Sequence, residues 1–188
     1  MQTTLLGYIP AVISRAEAHE RAKKFLERLR DRVGLRNTPP RYEETVYFPY
    51  YCFPIGKDRS FRADTVLLLV DGWGGMETLV TGLPAVAPHA PCAAVFAPNI
   101  SPPEAQQIAA DACRRALLRR VILRATDTAP PTASLRRISM LYWPYHVLYF
   151  EKKRKVTVRI IDAYRGETVG ARLTATFLQA FVAQARNR

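Results

Sequence analysis

A phrase built from aromatic residues, a proline and an acidic turn occurs twice in this chain. Val46-Tyr-Phe-Pro-Tyr-Tyr-Cys-Phe53 leads to Val70-Asp-Gly-Trp-Gly-Gly75, and Leu141-Tyr-Trp-Pro-Tyr-His-Val-Leu148 leads to Ile161-Asp-Ala-Tyr-Arg-Gly166. A duplication at this spacing constrains the fold before any single residue is read, because each copy must be one supersecondary unit that pairs or packs with the other.

Three anchors register the copies. Ile13-Ser14-x-x-Glu17 and Ile100-Ser101-x-x-Glu104 are capping boxes with an apolar residue ahead of the cap, 87 residues apart, and Pro102 stands at the first helical position. Carried forward by 87, the apolar stripe Ala18, Ala22, Phe25, Leu26, Leu29 lands on Ala105, Ala109, Ala112, Cys113, Ala116. The first helix is expected to end near Gly34 and the second near Val121, with a contact face made mostly of alanine that lets its partner approach closely. Pro49 and Pro144 anchor a strand in each copy, and an internal proline places such a strand at an edge, bulge or bend. Second strands are expected over 65–70 and 156–161. Third strands are expected over 78–81 and 168–170, after the turns Asp71 to Gly75 and Asp162 to Gly166, where Asp accepts turn N–H groups and Gly supplies positive φ. The first copy's connection between its first two strands is four residues longer, and 56–60 is the extended loop.

The resulting expectation is an α+β protein in which a helix-β-β-β unit is duplicated, with antiparallel sheets and a closing C-terminal helix. Its divisions are a first unit over 8–81, a proline-rich linker over 82–98, a second unit over 99–170 and the helix over 171–188. The linker contains Pro84, Pro88, Pro91 and Pro98, and Pro130-Pro131 marks a second loop.

Charge is uneven. Of 28 basic and 16 acidic residues, residues 1–90 hold 12 and 10, leaving 16 and 6 in residues 91–188, a local excess of +10. The basic positions are Arg114, Arg115, Arg119, Arg136, Arg137 and the hairpin tip Lys152, Lys153, Arg154, Lys155. Such a field attracts nucleic acid or an acidic partner without specifying which, and a basic hairpin tip also protects a sheet edge from aggregation. Cys52, Cys92 and Cys113 are odd in number and lack CxxC spacing, so no disulfide framework is expected, and Cys52 and Cys113 read as core thiols. His89 and Cys92 have no second ligand pair, and no metal or cofactor is expected. The apolar stretch at 5–13 is too short to span a bilayer and lacks a basic leader, so a cytoplasmic location without a transmembrane segment is expected.

Alternation along the aromatic strands puts Tyr47, Pro49, Tyr51 and Phe53 on one face and Phe48, Tyr50 and Cys52 on the other. In the second copy Tyr142, Pro144, His146 and Leu148 oppose Trp143, Tyr145, Val147 and Tyr149. One helix covers one face, so the other must meet the sister sheet, a second subunit in a homodimer, or a peptide or small-molecule ligand. Candidate ligand contacts are Tyr51, Trp73, Trp143, Tyr145, His146 and Tyr164. His146 with Asp162 or Glu167 is the one arrangement open to acid–base chemistry. No nucleophile accompanies it, and no catalytic residue is assigned.

The segment Ile161-Asp162-Ala163-Tyr164-Arg165-Gly166-Glu167-Thr168-Val169, and more loosely Val70-Asp71-Gly72-Trp73-Gly74-Gly75-Met76-Glu77, resembles the PepSY domain, a helix with a three-stranded antiparallel sheet. That resemblance implies tandem non-catalytic modules with inhibitory, chaperoning or sensing roles. It carries over Asp71, Gly75, Asp162 and Gly166 as turn positions.

Overall fold

The computed structural model describes residues 3–22, 39–55, 66–82, 84–89, 92–122, 135, 138–152 and 155–186, the side chains of 117–122, 152 and 155 excepted. The expected course of the first helix through Phe25, Leu26 and Leu29 to Gly34, the loop at 56–60 and the Pro130-Pro131 connection lie outside the described residues. The elements are β1 (Thr4–Tyr8), α1 (described over 15–22), β2 (Tyr42–Ile55), β3 (Val66–Asp71), β4 (Glu77–Thr81), β5 (Ala94–Val95), α2 (Pro102–Ile122), β6 (Ser139–Lys152), β7 (Lys155–Asp162) and α3 (Ala171–Arg186).

The strands form one mixed seven-stranded sheet in the order β1-β6-β2-β3-β4, with β5 paired to β2 and β7 to β6. The α+β class and the C-terminal helix are as the sequence indicates. The β2–β3, β3–β4 and β6–β7 pairs are antiparallel, whereas β5 pairs parallel to β2. Two strands were not anticipated. Strand β1 lies in the N-terminal apolar stretch, and the two-residue β5 lies inside the proline-rich segment, held by Phe96 N–H donating to the Tyr47 carbonyl at 3.0 Å. The third strand expected at 168–170 is reduced to a single bridge, Ile161 to Thr168, because Gly170 already opens α3, accepting from Thr174 N–H.

Both capping boxes form. Ser14 N–H and Oγ donate to Glu17 Oε2 while Ser14 Oγ accepts from Glu17 N–H, and Ser101 and Glu104 make the reciprocal pair at 3.4 Å. The backbone bond at Ser14 comes first among the causes that hold the Glu17 carboxyl below its ordinary range.

The chain folds into two compact units, each assembled from both halves of the sequence. The first comprises 1–7, 49–89 and 97–142; the second comprises 8–48, 90–96 and 143–188. In the first unit, α2 supplies Ala105, Ala109 and Cys113 to a core with Tyr51, Phe53, Leu68 and Val70 of β2 and β3. In the second, α1 supplies Ala18 and Ala22 to a core with Leu148 of β6 and Ile161 of β7. Each helix therefore packs on strands from the other half of the sequence.

Backbone bonds fix this exchange. Asn99 and Ile100 N–H both donate to the Gly72 carbonyl, and Val12 and Ile13 N–H both donate to the Ala163 carbonyl. Each turn is in turn tied to its proline strand, with Gly72 N–H donating to the Pro49 carbonyl at 2.8 Å and Ala163 N–H to that of Pro144 at 3.0 Å. The carboxylates close the turns. Asp71, fully buried, accepts from Trp73, Gly74 and Met76 N–H, and Asp162 Oδ1 accepts from Tyr164 N–H, Arg165 N–H and the Trp143 indole. Gly75 and Gly166 take φ of 67° and 74°, the left-handed region that a side chain disfavours.

In the second unit the sheet face opposite α1 is covered by α3. Phe177 is fully buried, with its ring 4.2 Å from Phe48 and 4.9 Å from Tyr145, and Phe96 meets Phe181 edge-on at 5.1 Å.

Candidate ligand-binding cleft

The aromatic candidates are occupied by the chain itself. Tyr51, Trp143, Tyr145 and His146 are buried, and Trp73 and Tyr164 are half-buried. Tyr51 O–H donates to the Ile100 carbonyl at 2.8 Å and the Trp73 indole to the Ala97 carbonyl at 2.8 Å. Burial pushes the Tyr51 hydroxyl above its ordinary value. Trp143 stacks edge-on against Tyr164 at 5.5 Å, with the Arg165 guanidinium 5.2 Å from its ring. An aromatic strand face left open for a ligand, one of the expected outcomes, is thus closed at these positions.

His146 is a bridge between segments. Its Nε2 lies 2.7 Å from the Ile13 carbonyl, which can only accept, so Nε2 carries the proton. Its Nδ1 lies within hydrogen-bond distance of the Thr45 hydroxyl, at 3.0 Å. Both ring nitrogens are engaged, and Asp162 directs Oδ1 to the turn and to Trp143. Register pairs Asp162 with Tyr145, placing the carboxylate and the imidazole at successive positions whose side chains point to opposite faces.

The basic positions are only partly described. Arg114 pairs with Asp111 at 3.0 Å and Arg115 with Glu77 at 2.8 Å, so each of these charges has a carboxylate beside it. Arg136, Arg137, Lys153 and Arg154, and the side chains of Arg119, Lys152 and Lys155, lie outside the described residues. Among the described residues no three His, Cys, Asp or Glu side chains converge as metal ligands, and no helix is long and apolar enough to cross a membrane. Cys52 and Cys113 are buried, which pushes both thiols up, and Cys92 is exposed.

Open space instead lies in the first unit, between α2 and the β3–β4 hairpin. Register places Phe53, Leu68 and Leu79 in one row across β2, β3 and β4, and Tyr51, Val70 and Glu77 in the next. Helix α2 covers the inner columns, with Leu68 at 3% and Val70 at 0% exposure, but Leu79 in the outer column remains 63% exposed. Alanine is the reason. Ala105 and Ala109 meet the sheet closely, whereas Ala112 and Ala116 are too short to reach β4 and leave a cleft of about 380 Å³.

Ile55, Leu68, Leu79, Ala112, Cys113 and Ala116 supply the apolar wall, while Glu77, Thr78 and Arg115 line its polar part. The volume is in the range of small-molecule sites. The Arg115–Glu77 pair bridges helix and strand, setting a guanidinium with five donors beside an apolar slot. The sequence puts Arg115 in a charge patch and Ala116 on the apolar contact stripe of the helix, whereas Ala116 is exposed at the cleft, and Leu79 was not singled out. The available signal was the alanine spacing 105, 109, 112, 116 opposite a wholly apolar strand at 66–70. No family model, curated protein or solved structure matches this chain.

Proposed function

We propose that the protein is a non-catalytic binding module that holds a small amphipathic molecule in the cleft between α2 and the β3–β4 hairpin. The observation that carries this reading is an apolar slot in the first unit with one ion pair, Arg115 to Glu77, beside it. An aliphatic body suits the wall of Ile55, Leu68, Leu79 and Ala112. An anionic head group suits Arg115, whose fork of donors can serve a carboxylate while keeping Glu77. The likeness of 161–169 and 70–77 to the PepSY domain, implying modules that inhibit, chaperone or sense, supports binding over chemistry.

Titration calorimetry with saturated monocarboxylates of increasing length tests the reading. Each buried methylene contributes about 0.8 kcal/mol, roughly fourfold in affinity, until the slot is full. Ala116→Trp, at an exposed position on the cleft wall, abolishes binding, and Arg115→Gln weakens carboxylates more than the matching alcohols. Affinity that ignores chain length and survives Ala116→Trp sinks the reading.

A further inference from the structure

Helix α3 has a second, exposed face. Thr176, Phe177 and Ala180 are buried, anchoring the helix to the second unit. Around the cylinder, Ala171, Ala175, Leu178, Val182 and Ala185 are all exposed, Leu178 at 43% and Val182 at 53%. Their spacing alternates four, three, four, three, the period of a coiled-coil seam, over about 21 Å of helix. A shallow groove of about 470 Å³ runs beside Leu178, Gln179, Val182, Ala183 and Arg186.

The flanks choose the occupant. Arg172, Gln179 and Arg186 each follow a seam residue by one position, recur every seven residues and are exposed, so they line one edge of the seam. The opposite edge, Thr174 and Phe181, is half-buried, and the Phe181 ring meets Phe96 and Phe177. A partner must therefore approach from the arginine side. Residues 171–186 contain no acidic side chain. A second copy docking antiparallel would set Arg172 against Arg186, a like-charge contact, and a parallel copy would need the half-buried edge. Three of the five seam residues are alanine, which gives little insertion into a lipid surface.

We propose that this face of α3 docks an amphipathic helix of a partner protein that carries acidic residues beside its own apolar seam. Leu178 and Val182 form the apolar centre, the alanines at either end permit close approach of the two backbones, and Arg172 and Arg186 pair with carboxylates spaced two heptads apart. This surface lies in the second unit and is independent of the α2 cleft.

Two synthetic helical peptides with the same leucine seam, one flanked by glutamate and one by lysine, test the proposal against the full chain by fluorescence anisotropy at low ionic strength. The glutamate peptide binds roughly tenfold or more tightly than the lysine peptide, as two exposed ion pairs gained rather than opposed require. The double charge reversal Arg172→Glu with Arg186→Glu inverts that preference. Leu178→Gln with Val182→Gln removes binding of both peptides while the thermal melt stays that of the wild type, since both positions are exposed. Equal binding of the two peptides, binding of neither, or a preference that the charge reversal leaves unchanged overturns the proposal. So does a concentration-dependent dimer that Leu178→Gln dissolves, because a second copy would then be the occupant.

Discussion

Replacing Asp71 by Ala removes one fully buried carboxylate that accepts from three backbone N–H groups, Trp73 at 2.9 Å, Gly74 at 2.6 Å and Met76 at 2.6 Å. Hydrogen bonds to a charged group contribute about 1.5–3 kcal/mol each. Gly74 is exposed, so water recovers part of that loss. The net expectation is a destabilisation of roughly 3–5 kcal/mol, a fall in melting temperature of roughly 6–20 °C for a chain of this length. Asp71→Asn keeps the carbonyl for Trp73 and Gly74 but turns an amide donor toward Met76 N–H, and costs roughly half as much. The damage is not confined to the turn, because the Gly72 carbonyl receives Asn99 and Ile100 N–H and so positions the start of α2. Urea denaturation read by near-ultraviolet circular dichroism, with calorimetry beside it, measures both variants. An Asp71→Ala protein within about 0.5 kcal/mol of wild type, the range of an ordinary surface substitution, refutes the assignment of the carboxylate as the closure of this turn.

Two further outcomes follow from half-buried Tyr149 and buried Phe177 in the second unit. Burial, and after it the hydrogen bond to Glu44, push the Tyr149 hydroxyl well above its ordinary value. The neutral phenol is thus favoured in the fold: its contribution is complete below about pH 10 and is lost as pH rises through the folded value. Equilibrium unfolding should show wild type losing stability more steeply than Tyr149→Phe above about pH 10, whereas parallel curves would remove Tyr149 as the cause. Phe177→Ala deletes a fully buried ring packed on Phe48 and Tyr145 and should cost about 3–5 kcal/mol by calorimetry. A cost under about 1 kcal/mol would mean that α3 does not close that face.

Local signals in the sequence carried most of the elements. The two Ser-x-x-Glu boxes place the starts of α1 and α2, the run of apolar residues at 66–70 becomes β3, and Asp71 and Asp162 occur at turns closed by their own carboxylates. What local reading missed was long-range. Nothing at 13–22 says that α1 packs on Leu148 and Ile161 rather than on the strands that follow it, because an alanine stripe fits either partner. Strand β5 was hidden because two residues among prolines carry no period, and they become a strand only by pairing with Val46 and Tyr47. The aromatic positions were legible as faces but not as occupied ones: the carbonyls of Ile13, Ala97 and Ile100, remote in sequence, satisfy the polar atoms of His146, Trp73 and Tyr51. The cleft was illegible for a related reason. It depends on Ala112 and Ala116 falling short of a strand reached only after β3 has turned into β4.

Cys113 offers the most direct test of the binding cleft, since it lines the slot while Cys52 is fully buried and Cys92 is exposed. In a Cys92→Ser protein, the rate at which a thiol reagent modifies Cys113 is measured as a saturated monocarboxylate is titrated, with calorimetric binding followed in parallel. Binding in the cleft predicts that protection of Cys113 and bound ligand rise with one midpoint, and that Ala116→Trp removes both. Ligand binding that leaves the Cys113 rate unchanged would contradict the account.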